Sequence, residues 1–111
     1  MGESSFEKSR IYHLKDSVNY SDGAIVSKII IKNNVGNVSL FAFDKGQNLS
    51  EHTAPFDAMV QVIDGKAEII IAGKSYKLES GESIIMPAGV PHAVRAPERF
   101  KMLLTMVRNS Q

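Results

Sequence analysis

The sequence predicts an all-β domain, an antiparallel sandwich or barrel. Three observations carry this. Apolar residues recur with a period of two, turn signals separate the runs at short intervals, and helical periodicity is almost absent. Several runs are apolar on both faces, which suits strands covered on both sides.

The elements follow in order. Residues 1–8 are polar and mixed in charge, and are expected to be loose. Gly2–Ser9 is the one helical candidate and is too short to be stable alone. Arg10–Leu14 reads as an edge strand with His13 on the surface. Ile25, Ser27, Ile29 and Ile31 alternate against Val26, Lys28, Ile30 and Lys32, and Asn33–Asn37 then turns the chain. Val38, Leu40 and Ala42 alternate with Ser39, Phe41 and Phe43. Asp64-Gly65 is read as the strongest hairpin signal, because a type I′ turn needs positive φ at both central residues. Ala67, Ile69 and Ile71 share a face, and Ala72-Gly73 is a weaker hairpin signal. Glu79-Ser80-Gly81-Glu82 and Pro87-Ala88-Gly89 are further turns, and Phe100, Met102, Leu104 and Met106 share the face of a last strand. One domain is expected over residues 9–108, with residues 109–111 as a flexible end.

Composition narrows the function. The chain has 111 residues, 13 Lys+Arg against 12 Asp+Glu, and a formal charge of +1. That is no sequence-wide basic footprint, so dedicated nucleic-acid binding is not expected. Cysteine is absent, which excludes disulfides, a thiolate nucleophile and thiolate metal sites. The longest apolar runs fall far short of the roughly 20 residues that span a bilayer. No secretory signal is visible, and Phe6 stands where an N-myristoylation motif wants Ser or Thr. The expected setting is the cytoplasm, without a membrane partner. There is no nucleophile elbow and no phosphate-binding glycine loop.

Two segments carry an identity. In the first, Gly46 is followed by five residues and His52, and position 58 by six residues and Gly65. In the second, Gly81 is followed by five residues, then Pro87, Gly89 and His92. Together they resemble the two signature motifs of the cupin superfamily. The resemblance covers nearly the whole chain and implies a single-domain, jelly-roll β-barrel, usually a homodimer. The apolar stretch Ile25–Lys32 would suit such pairing. His52-Thr-Ala-Pro resembles a subgroup of small bacterial cupins with a degenerate ligand set.

The departures bear on function. The resemblance implies a metal held by three His and one Glu, but Ala54 stands at the second His and Ala58 at the Glu. Ala96 replaces a final Asn. His52 and His92 remain as weak metal candidates, for Fe, Mn, Ni or Zn. Asp57, Gln61 and Glu51 could in principle replace the lost carboxylate, but strand parity points each away from the interior. The bland reading of His52 and His92 is inherited polar lining. Met59, Met86 and Met102, with Met106, are core filler or the wall of a greasy cavity. Ala54 and Ala58 should leave the cavity roomier and more apolar, provided Phe or Met from other strands does not refill it. Arg95, Arg99, Lys101 and Arg108 are a solvated face or a small basic patch.

Three functional readings stay open. The first is a cupin that binds a small, apolar or amphipathic ligand in the barrel, through His52, His92, Ala54 and Ala58, without catalysis or with an activity the sequence does not reveal. The second is a metal-dependent enzyme of dioxygenase or isomerase type with an atypical His52/His92 site. The third is a dimerising interaction or sensing module without chemistry.

Overall fold

The computed structural model describes residues 6–108. After a 3₁₀ turn at Leu14–Asp16 come eight strands: β1 (Ile25–Asn33), β2 (Gly36–Phe43), β3 (Asn48–His52), β4 (Phe56–Ile71), β5 (Lys74–Glu79), β6 (Ser83–Met86), β7 (His92–Arg95) and β8 (Phe100–Arg108). All pairings are antiparallel. One sheet runs β1-β2-β8-β4-β6 and the other β5-β4-β7-β3, so the long strand β4 belongs to both. The predicted all-β jelly-roll barrel is the observed architecture.

Strand β4 corrects the reading of Asp64-Gly65. No hairpin forms there. The chain runs straight through, and the ladder to β8 shifts register between Val62 and Asp64. Gly65 keeps positive φ (74°) beside this bulge, and the strand passes there from one sheet to the other. A bulge bends its strand and raises the local twist, as closing a barrel requires. A Cβ on Gly65 would run into the Arg99 carbonyl. Gly65→Ala should therefore cost about 2 kcal/mol or more of stability. Gly73→Ala, whose Cβ would meet open space, should cost only about 1 kcal/mol. Urea melts of the two variants check the difference. The true hairpin between β4 and β5 turns on Ala72-Gly73, both at positive φ (51° and 82°). The signal read as weaker made the turn, because Gly65 lies inside a strand that both sheets share.

Two apolar clusters explain the runs that are apolar on both faces. The barrel interior holds Phe43, Val60, Val62, Ile69, Phe100 and Met102 among others. On the outer face of β2, Val18, Leu40 and Ala42 pack with Phe6, Leu14 and Tyr20 of the N-terminal segment. That segment is no strand at Arg10–Leu14, contrary to the expectation. His13 is exposed, and its carbonyl accepts from the Asp16 N–H (3.0 Å) and the Ser17 hydroxyl (2.8 Å), closing a turn. Residues 6–9 form no helix. Half of the Gly2–Ser9 candidate (residues 2–5), and residues 109–111, lie outside the described residues.

Polar contacts dock this segment. The Tyr20 hydroxyl donates to Asp64 (2.7 Å), and the buried Lys101 ammonium donates to the Lys15 carbonyl (2.6 Å) while lying 5.0 Å from the Tyr20 ring centre. Burial first, then the Asp64 hydrogen bond, holds the Tyr20 phenol above its ordinary range. Arg99 donates to Asp44 (2.7 Å) and Asp22 (2.8 Å). The basic patch considered near the C-terminus is thus dispersed, with Lys101 and Arg99 committed to the N-terminal segment and the loops. Asp44 also accepts from the Gly23 N–H (2.6 Å). The Arg99 hydrogen bond, then that of Gly23, lowers its carboxyl to about 2. A lowered folded-state value adds stability above the ordinary carboxylate range, and that stability is lost as pH falls toward 2. Asp44→Asn should flatten the acid limb of a stability profile between about pH 4 and pH 2, followed by urea melts at each pH.

Candidate functional site

His52 ends β3 and His92 opens β7, and the two are direct cross-strand partners. The ladder shifts register between Leu49 and His52. The shift matters for parity. Leu49 and His52 are three residues apart and would face opposite ways on a regular strand, yet both line the barrel cavity. The imidazole rings meet edge to face, with centroids 4.4 Å apart. His92 is 7% exposed, whereas His52 faces solvent at the rim.

Each ring has its Nδ1 against a backbone carbonyl two residues earlier, Ser50 for His52 (2.8 Å) and Val90 for His92 (3.2 Å). A carbonyl only accepts, so both Nδ1 atoms carry the proton. In the neutral rings both Nε2 atoms then hold a free lone pair, and no hydrogen bond within the described residues occupies them. An imidazole held by its second nitrogen in this way is set to accept a proton or ligate an ion.

Below the pair lies a cavity of about 60 Å³, walled by Ala54, Ala58, Met86, Val94, Met102 and Met106 with flanking leucines. Ala58 on β4 is in register with Met86 of β6 on one side and Met106 of β8 on the other. The room left by Ala54 and Ala58 is thus refilled by methionine. The lining is apolar, as expected, but the space is several times smaller than the roughly 300–1,000 Å³ of sites for drug-sized ligands.

The parity argument against replacement carboxylates holds. Asp57 and Glu51 are exposed. Asp57 accepts from the Ala88 N–H (2.9 Å) and so ties the Pro87-Ala88-Gly89 corner to β4. Among the described residues no group of three or more His, Cys, Asp and Glu side chains could hold a metal ion. The donors present do not fit the divalent ion that three His and a Glu would hold, because the carboxylate that would neutralise it is missing.

Two site features escaped the sequence reading. One is the convergence of three methionines from two strands, of which only the shared face of Met102 and Met106 was legible. The other is the bulge that brings the exposed His52 to the rim of the cavity, which leaves no compositional trace.

The profile of the cupin-domain family matches residues 39–108. The chain is a cupin. The cupin superposes on a protein of unknown function from Streptococcus pyogenes with a TM-score of 0.90 and 35% identity, over 96% of this chain and 93% of that one. It is 40% identical to a cupin 2 conserved barrel domain protein from Leptotrichia buccalis, with a TM-score of 0.85, over 87% of this chain. It spans 47% of that longer protein. A cupin superfamily protein from Desulfitobacterium hafniense shares the fold at a TM-score of 0.87 and 23% identity, over 94% and 95% of the two chains. No curated protein matches this cupin. Among the described residues no helix is long and apolar enough to cross a membrane.

Proposed function

We propose that this cupin is a non-catalytic binding protein that takes a very small ligand at the barrel mouth, with His52 and His92 as polar contacts and Ala54 and Ala58 in the apolar wall. The paired imidazoles, with Nδ1 tied to backbone and both rings lining a 60 Å³ apolar cavity, carry this reading. Sites of this kind join an apolar wall to a few placed polar groups. No carboxylate lines the cavity to orient a histidine or relay its proton, which argues against a general acid/base centre.

The test uses chelator-treated protein and a panel of neutral and anionic molecules of a few non-hydrogen atoms each, such as formate, acetate and acetamide. At 100 times Kd a ligand stabilises by about 2.7 kcal/mol, a rise in Tm of several degrees. The rise should vanish in His92→Ala. A flat response to every probe in the wild type would sink the reading.

A specific observation favours pairing of two copies. β1 lies at the edge of its sheet, and Ile31 at its end is 57% exposed near Val35 (64%) in the β1–β2 turn. An open strand edge with apolar neighbours invites a second strand. Light scattering is expected to give a dimer, and Ile31→Lys to shift it toward monomer.

A further inference from the structure

We infer that the cavity is a site for a soft monovalent metal ion, Cu(I), held by His52 and His92 from one sheet and by the thioethers of Met86 and Met106 from the other. The inference rests on the reading of this cavity as a small-ligand site and names the ligand class.

The donor set leads to it. Both Nε2 atoms are free and belong to rings whose Nδ1 atoms are already committed. Met86 and Met106 flank Ala58 in register and both line the cavity, so two methionines bracket the position that lacks a carboxylate. Met102 lines the same cavity. Imidazole and thioether are both neutral. A divalent ion would enter the apolar wall with its charge unbalanced. For a monovalent ion the desolvation cost, which grows with the square of the charge, is about one quarter as large. Thioethers are soft donors that select Cu(I) over hard divalent ions. A volume of about 60 Å³ has room for a bare ion.

Core filling is the competing account of the methionines, and the choice of variants separates the two. Met-to-Leu changes nearly conserve volume and are tolerated in packed interiors, so the double variant Met86→Leu/Met106→Leu should fold while losing its sulfur donors. Under anaerobic conditions the wild-type protein is titrated with Cu(I) in competition with the chromophoric chelator bicinchoninate. The expected result is one Cu(I) per chain, at least tenfold weaker binding in the double Met variant, and loss of the site in His92→Ala. X-ray absorption of the loaded wild type should show nitrogen and sulfur neighbours, and Zn²⁺ or Ni²⁺ should not be retained through a desalting column. Failure to compete for Cu(I), or undiminished binding in the double Met variant, would overturn the inference. If Cu(I) fails while small-molecule probes still raise Tm through His92, the ion is wrong and the small-ligand reading survives. If both fail, both fall.

Discussion

Placing His at position 54 and Glu at position 58 together is expected to turn this cupin into a stoichiometric binder of Ni²⁺ or Zn²⁺. His52 and His92 already face one another at 4.4 Å, each with a free Nε2. Positions 54 and 58 line the same cavity. Ala54→His/Ala58→Glu would supply a third imidazole and the missing negative charge. Loss of an outer partner alone typically weakens a metal site about 10–100-fold, so two restored direct ligands should strengthen binding by about 1,000-fold or more. Ala58 is 5% exposed between Met86 and Met106. Ala58→Glu alone therefore buries a carboxylate without a partner, and should destabilise the fold by about 2–4 kcal/mol. Such a carboxyl has a raised pKa in the folded state, so the deficit should shrink as pH falls. Added metal should rescue the double variant by mass action. Elemental analysis and metal-dependent melting read these outcomes. A metal-free double variant with an intact fold would show that the two histidines do not aim at a common centre.

Phe100→Ala is expected to give the largest loss of stability from one change. Phe100 and Phe43 are fully buried, are register partners between β8 and β2, and stack with centroids 4.5 Å apart. Phe100 is also the partner of Gly65, where β4 crosses between the sheets. Its removal opens a cavity at the place where the two sheets join. Truncation of a buried Phe costs about 3–5 kcal/mol, a large share of the roughly 5–15 kcal/mol that holds a domain together. Urea denaturation should show the midpoint fall without a change in slope. Phe41→Ala is the control, because Phe41 packs only at the edge of the core, and should lose clearly less.

The barrel was legible in the sequence because period two and turn glycines act locally. The run Phe100, Met102, Leu104, Met106 turns inward as its alternation requires. Gly65 was recognised as a positive-φ position, but its use was misjudged. The same conformation closes a hairpin or seats a bulge, and only the pairing of β4 with β8 distinguishes them. Arg10–Leu14 reads as an edge strand in the sequence. Among the described residues it pairs with no strand, and its last residue, Leu14, packs on the outer face of the sheet instead. At the site, the spacing of His52 and His92 was readable from the motifs. Their ring contact and the methionines around Ala58 arise from registers between strands distant in sequence. No local pattern encodes those registers.

The tautomers of the two histidines test the account most directly. Long-range proton–nitrogen correlation spectra of ¹⁵N-histidine protein at about pH 8, where an ordinary imidazole is neutral, read both ring nitrogens. The structure requires His52 and His92 to be protonated on Nδ1, with both Nε2 signals moving together when a ligand binds. An Nε2-protonated ring at either position, or a ligand that shifts neither Nε2, would contradict the site.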